Sequence, residues 1–306
     1  MSEASTAAQK QQSEAEELKS LADKFLASKG VVTKSEDVKK ADTKGLGSMN
    51  ILIGIPTHSG EVKAKCVSSL LNLTKKLQEI GIRFEVEIIG HCPIISAVRN
   101  YFANKVAFDL DKTGLFSFTH LLFIDSDSAN YEHAVMALVS QDKAISGLVY
   151  ATKAIYWEKI ESAVRQGIHT NHLAEFGSIP DVNAFGPFEV NRLARVRHIG
   201  TGTLLVQKKV FRDLAEKHPE WKYRVDSSYF FGRPSPDREF MYDFFQTKID
   251  DETKNYVCED QFFNDEARKI GYESYALAAE RTYHVGTYDF ILNLPLVASH
   301  PRAAFM

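Results

Sequence analysis

Between Asn50 and Asp127 the chain alternates strand-like apolar runs with helix-like ones, and this alternation restricts its fold more than any other feature. Residues 50–55 are a buried-strand pattern that stops at Pro56, followed by the polar loop Thr57-His58-Ser59-Gly60. Residues 61–80 carry Val62, Cys66, Leu70, Leu73 and Leu77 at helical spacing and end at Gly81. Residues 84–89 alternate as a second strand, 94–108 place Ile95, Val98, Phe102 and Val106 on one helical face, and 119–124 form a third strand. Strand, helix, strand, helix, strand over about 75 residues predicts an α/β fold, a parallel sheet with crossover helices. Such sheets bind ligands at the carboxyl ends of their strands, which puts the 56–60 loop and the 125–127 loop at the candidate site.

The second half is less regular. Residues 203–206 read as a strand preceded by the flexible Gly200-Thr201-Gly202, and helices are expected at 208–217 and 260–270. Between those helices, 226–256 is rich in aromatics (Tyr229, Phe230, Phe231, Phe240, Tyr242, Phe244, Phe245) and holds Pro234 and Pro236. Such a segment is expected to pack over a site rather than to form a core of its own.

Residues 1–48 are a different kind of sequence, with eight Lys, eight Asp or Glu and Phe25 as the only aromatic. Leu18, Leu21, Phe25 and Leu26 allow one short amphipathic helix, and the remainder is too polar to fold by itself. The Gly47-Ser48-Met49 junction reads equally as the end of a native flexible leader or of an expression tag. The chemistry is therefore expected in 49–306. Overall, 37 basic and 40 acidic side chains leave a net charge of −3, which argues against holding nucleic acid by electrostatics alone. A local basic patch at Arg192, Arg195, Arg197 and His198 runs against that balance. Cys66, Cys92 and Cys258 fit neither a disulfide framework nor a CxxC metal site, and imply a reducing compartment. No apolar run approaches the roughly 20 residues of a membrane span, so a cytoplasmic protein without one is expected.

Three constellations have the residue types for chemistry. In Leu121-Leu122-Phe123-Ile124-Asp125-Ser126-Asp127 an apolar strand delivers two carboxylates to its tip, where they can reach a common Mg²⁺ or Mn²⁺. Asp is also common after strands simply because it caps turns. In Cys258-Glu259-Asp260-Gln261 two acids open a helix; they complement the helix dipole, or one of them faces a cleft as a general base. In Tyr283-His284-Val285-Gly286 the imidazole is either structural or the completion of a metal shell with the two Asp. Arg99 and Lys153 are candidate partners for a phosphate or a sugar hydroxyl, and equally ordinary solvated charges.

The order of these elements resembles the nucleotide-sugar-dependent glycosyltransferases of the GT-A fold, particularly the family 2-like enzymes and related viral or phage sequences. The resemblance is carried by 51–57, by Ala97-Val98-Arg99-Asn100, by Asp125-Ser126-Asp127 and by 147–153. It continues through 200–211, through Glu259-Asp260 with the helix ending at Gly271-Tyr272, and through His284-Val285-Gly286, so that it covers most of 50–290. It implies a Rossmann-type, mostly parallel sheet flanked by helices, with 49–155 as the nucleotide-sugar-binding half and 156–306 as the acceptor and catalytic half. It further implies a Mn²⁺ or Mg²⁺ ion on Asp127, Asp125 toward that ion or the ribose, and His284 as a further ligand. Asp260 becomes the base of an inverting transfer with Glu259 as its substitute, and Pro56 and Thr57 line the nucleotide base. The donor implied is a nucleotide-diphosphate sugar, most readily a UDP- or GDP-sugar, and the acceptor an unidentified glycan or other hydroxyl, a modified DNA base included. The competing readings are a retaining enzyme and a non-catalytic sugar- or partner-binding module. A haloacid-dehalogenase-type phosphotransferase fits poorly, because Ser128-Ala129 follows the second Asp. A nucleotidyltransferase fits poorly too, because 55–60 lacks a Gly-rich basic loop.

Overall fold

The computed structural model describes residues 48–109, 117–186, 190–225, 240–278 and 281–300. The helix expected around Leu18–Leu26, residues 1–47 of the leader and the aromatic residues 229–231 lie outside the described residues. The first five elements follow the predicted alternation: β1 (Asn50–Pro56), α1 (Ala64–Glu79), β2 (Arg83–Ile89), α2 (Ile95–Phe108) and β3 (His120–Ile124). Then come β4 (Ser128–Asn130), α3 (Glu132–Gln141), β5 (Ile145–Leu148), α4 (Trp157–Arg165), the short α5 (Leu173–Phe176), β6 (Val182–Ala184) and β7 (Leu193–Ile199). β8 (Thr203–Gln207), α6 (Lys208–Lys217), β9 (Lys222–Arg224), β10 (Phe240–Tyr242), β11 (Lys248–Ile249) and β12 (Tyr256–Val257) follow. The described chain closes with α7 (Glu259–Lys269), β13 (Ser274–Leu277), β14 (Arg281–Val285), β15 (Asp289–Asn293) and α8 (Leu294–Ser299).

Eight strands form one sheet in the order β2-β1-β3-β8-β5-β13-β7-β6. β1 lies parallel to β2 and β3, and β5 parallel to β13, whereas β8 runs against both of its neighbours and β7 against β13 and β6. Six of the eight strands therefore point the same way, and the fold is α/β with a central sheet that is mainly parallel in strand direction. The sequence pattern finds β8 as a strand, but its reversed direction in the middle of the sheet has no counterpart in periodicity. A separate three-stranded sheet, β15-β14-β4, sits beyond the end of β3.

Along β1, β3, β8 and β5 both faces of the large sheet are buried, as their near-continuous apolar runs require, whereas β7 keeps exposed positions on one side. Ile51, Ile53 and Ile55 of β1 point to the face covered by α1 and α3, where Leu73, Leu77, Val135 and Leu138 pack. Leu52, Leu121 and Phe123 point to the opposite face, under Phe102 of α2, Phe211 of α6 and Phe263 of α7. Gly54 belongs to that close approach, because a Cβ there would stand 2.8 Å from the Phe102 ring. Phe244 and Phe245 correct an expectation. They do not cover a site but sit in this core fully buried, Phe245 stacked 4.8 Å from Phe263 and edge-on to Phe123. A buried Phe of this kind contributes about 1.5–3 kcal/mol, and the α2–α6–α7 face needs their bulk to fill it. Among the described residues no helix is long and apolar enough to cross a membrane, and all three cysteines are free thiols.

Candidate functional site

β3 is buried along its whole length, so Asp125 is the first residue after it to leave the core. The turn that follows is held from four directions. The Asp125 N–H donates to the Gly202 carbonyl (3.0 Å), and the Ser128 N–H closes the turn on the Asp125 carbonyl (2.9 Å). The Lys63 N–H reaches the Ser126 carbonyl (2.9 Å), and the Val285 N–H reaches the Asp127 carbonyl (2.7 Å). Anchoring of this kind fixes both carboxylates on rigid backbone. On the neighbouring strand, Gly54 pairs with Phe123, which sets Pro56 level with Asp125. Pro56 and Thr57 are both buried, with the Thr57 N–H on the Ile89 carbonyl (2.8 Å) and its hydroxyl donating to the Glu61 carbonyl (2.8 Å).

Asp127 faces two basic groups. Lys153 Nζ lies on its Oδ2, and His284 Nε2 stands 3.5 Å from its Oδ1. Burial alone would raise this carboxyl, but His284 and Lys153 outweigh it and hold the pKa down to about 2. His284 arrives from β14, whose register places it opposite Ser128 of β4. Its Nδ1 is 2.9 Å from the Ala151 carbonyl, which can only accept, so Nδ1 carries the proton of that bond. An unprotonated Nε2 would then face a carboxylate oxygen, acceptor to acceptor, and only a cation between them, a proton or a metal ion, makes that arrangement favourable. The separation suits an ion, since two ligands each about 2.1 Å from a common metal lie no more than about 4.2 Å apart. A backbone-oriented imidazole is also how metal-binding histidines are commonly held. Asp127 and His284 therefore fit the divalent metal that the resemblance implies.

Asp125 is used differently. Arg99, 5% exposed on α2, directs Nη2 to Asp125 Oδ1 (3.3 Å) and Nη1 to Glu259 Oε1. Burial opposes the guanidinium charge, yet Asp125, Glu259 and Asp260 around it raise its pKa further. Arg99 thus joins the β3 turn to the first turn of α7. The structure places it between protein carboxylates, and it places the Lys153 ammonium on Asp127. Among the described residues, the trio of ligand atoms that lie within 4.8 Å of one another is Cys258, Glu259 and Asp260; Asp125, Asp127 and His284 do not form such a set. The 258–260 trio suits a cation poorly, because Glu259 is already held by Arg99. In addition, burial and then Asp260 push the Cys258 thiol up to about 12, whereas a metal ligand must be a thiolate.

Asp260 accepts from the Gln261 N–H (2.7 Å) and from the Cys258 thiol (2.8 Å) through Oδ1. Near it lie two groups that sequence reasoning does not single out as site residues, Tyr150 and Asp181. Tyr150 is buried edge-on to His284 (5.3 Å between ring centroids), and its carbonyl accepts from the Asp181 N–H (2.9 Å). Surrounding protein crowds the Asp181 carboxyl and, with Asp260, raises its pKa, although its surface stays open to solvent. The Tyr150 ring also explains Gly200 and Gly202, where an added Cβ would come within 2.1 Å of its hydroxyl and 2.6 Å of its ring. Those glycines are close-packed rather than flexible. Tyr150 lies inside the 147–153 stretch that carries the resemblance; Asp181 has no signal beyond following Pro180. Trp157, whose ring could stack on a sugar, is well exposed, whereas Trp221 stacks on His218 (4.0 Å) and Tyr223 packs against the core.

The chain matches no family model and no curated protein. Solved structures similar to it include A197 from STIV, 14% identical over 78% of this chain and 86% of that one, with a TM-score of 0.40. A candidate glucose-1-phosphate thymidylyltransferase from Bacillus anthracis in complex with sucrose is 10% identical over 83% and 94% of the two chains, with a TM-score of 0.34. The inositol-1-phosphate CTP transferase from T. maritima is 12% identical over 76% and 86%, with a TM-score of 0.31. Likenesses at this level leave the activity of this chain to be argued from its own residues.

Proposed function

We propose that this protein is a metal-dependent glycosyltransferase of the GT-A type that moves a sugar from a nucleotide-diphosphate donor to an acceptor hydroxyl. The observation that carries the reading is the pair Asp127 and His284, with Nε2 aimed at Oδ1 across 3.5 Å on an anchored turn at the carboxyl end of β3. A divalent ion bound there supplies Lewis-acid neutralisation of the diphosphate leaving group. The rest is done by the chain itself. Pro56 and Thr57, level with the turn, line the nucleotide base. Lys153 adds positive charge beside Asp127, where negative charge grows as the donor bond breaks. Arg99 holds Asp125 and Glu259 in place from beneath, as a positioning residue. With Glu259 held in that ion pair, Asp260 is the acid left to take the proton of the acceptor hydroxyl, which favours inversion over retention.

The test is calorimetric titration of UDP-, GDP- and dTDP-sugars with and without Mn²⁺, against wild type and Asp127→Ala. One nucleotide family is expected to bind only with the metal, and the variant is expected to lose that binding. Donor binding that ignores both the metal and the substitution would overturn the proposal, and no binding at all would favour the non-catalytic module.

A further inference from the structure

β7 and β13 carry a face that the proposed transfer does not use. Tyr275 of β13 pairs with Arg195 of β7, and Leu277 with Leu193, so these four side chains share one side of the sheet. Val196, between them in the alternation, points to the other side and is fully buried in the core. Arg197, two residues beyond Arg195, continues the same side, and both guanidinium groups lie over the ring of Phe185, at 4.8 and 5.1 Å. Lys143 stands 5.2 Å above the Tyr275 ring. Beside them a groove of about 380 Å³ has Ala137, Leu193, Tyr275 and Leu277 among its walls and Lys143 and Arg192 at its charged positions. Arg192, Arg195, Arg197 and the Phe185 ring are all exposed. Among the described residues Glu273 supplies counter-charge on this face, accepting from Arg195 at 3.3 Å, and Arg192 has an interaction of its own. His198 does not belong to the patch, because it turns to the opposite side and bonds Asp265 at 2.8 Å. A net charge of −3 for the whole chain makes this concentration of cations the more distinct, since a local field rather than a total charge steers a polyanion.

We infer that this face binds single-stranded nucleic acid. Lys143 and Arg192 on the groove, with Arg195 and Arg197 beside it over the Phe185 ring, supply charge for a phosphate backbone, and the exposed Phe185 ring offers unpaired bases a stacking surface. A duplex would keep its bases stacked on each other, and an acidic glycan can offer the ring only the C–H face of a sugar, a weaker platform than an unpaired base. β6 connects this face to the acid cluster, with Asp181 before it and Phe185 after it. The inference is independent of the donor chemistry.

Fluorescence anisotropy of a labelled oligo(dT) of about fifteen nucleotides, in EDTA and without nucleotide sugar, tests it. Wild type is expected to bind with a Kd of about 1–100 µM at physiological salt. The double reversal Arg195→Glu/Arg197→Glu is expected to weaken binding at least about tenfold and to flatten the slope of log K against log salt by about 1.4, at 0.7 per lost phosphate contact. Phe185→Ser is expected to cost about fivefold or more through lost stacking. If the double variant does not fold, Lys143→Glu and Phe185→Ser give the same reading singly. No binding by wild type, or unchanged binding in these variants, overturns the inference. So does a polysulfated glycan or a duplex that displaces the oligonucleotide while Phe185→Ser has no effect, since charge alone would then account for the face.

Discussion

On one side of the β3 turn a buried guanidinium lies between Asp125 and Glu259; on the other, Asp127 shares a half-open space with Lys153 and His284. Two carboxylates of one three-residue motif thus meet different physics. Around Asp125 the partner is deep and permanently charged, which makes the group part of the scaffold that ties α2, β3 and α7 together. Around Asp127 the partners are the partly exposed Lys153 ammonium and an imidazole whose Nε2 faces it across 3.5 Å, so a cation can take the place of the ammonium there. Of the two acids in the motif, Asp125 sits in a buried ion pair and Asp127 is the one the proposed metal site relies on.

The strongest way to break this contrast is Arg99→Met. It leaves the half-buried Asp125 and Glu259 without a counter-charge, and the expected loss is about 3 kcal/mol of stability, read from urea unfolding. If stability holds while nucleotide-sugar binding vanishes, Arg99 and Asp125 belong to the chemistry and the contrast fails. Asp260→Asn sharpens the other end. Transfer is expected to fall by roughly 10²–10⁴ while the donor Kd stays within about twofold, because a base acts only on the acceptor. Full transfer in Asp260→Asn would move the proton to Asp181, whose carboxyl is already raised, or to a retaining mechanism. The smallest effect is in pH. Asp127 is depressed from 3.8 to about 2, so its ion pairing stabilises the fold above about pH 4 and is lost as pH falls from about 4 toward about 2. In EDTA, wild type is expected to exceed Asp127→Asn by about 2 kcal/mol at pH 7, and the gap to close across that window. A gap that stays constant with pH would assign the effect to shape rather than to charge.

Much of the first half was legible in advance because its signals are local. Apolar runs that end in Pro56, Gly81 and Asp125 mark where β1, α1 and β3 stop, and α6 and α7 announce themselves by helical spacing. The Phe244-Phe245 pair was misread for a related reason. Composition marks a segment as aromatic, but its neighbours in the core, Phe123, Phe211 and Phe263, come from three distant elements. The basic cluster at Arg192–His198 was visible as a run of charges, and only strand alternation against β13 and α7 separates Arg195 and Arg197 from His198.

The sequence by itself determined the α/β class, the strand that presents Asp125 and Asp127, and the helix that opens on Glu259 and Asp260, because burial periodicity and chain punctuation act over a few residues. The tertiary structure alone decided that β8 runs backwards through the middle of the sheet, that Arg99 meets Asp125 and Glu259, that the Ala151 carbonyl turns His284 Nε2 toward Asp127, and that Tyr150 and Asp181 stand beside Asp260. Those contacts join residues up to 160 positions apart. Sheet order and strand register bring them together, and no local pattern encodes either.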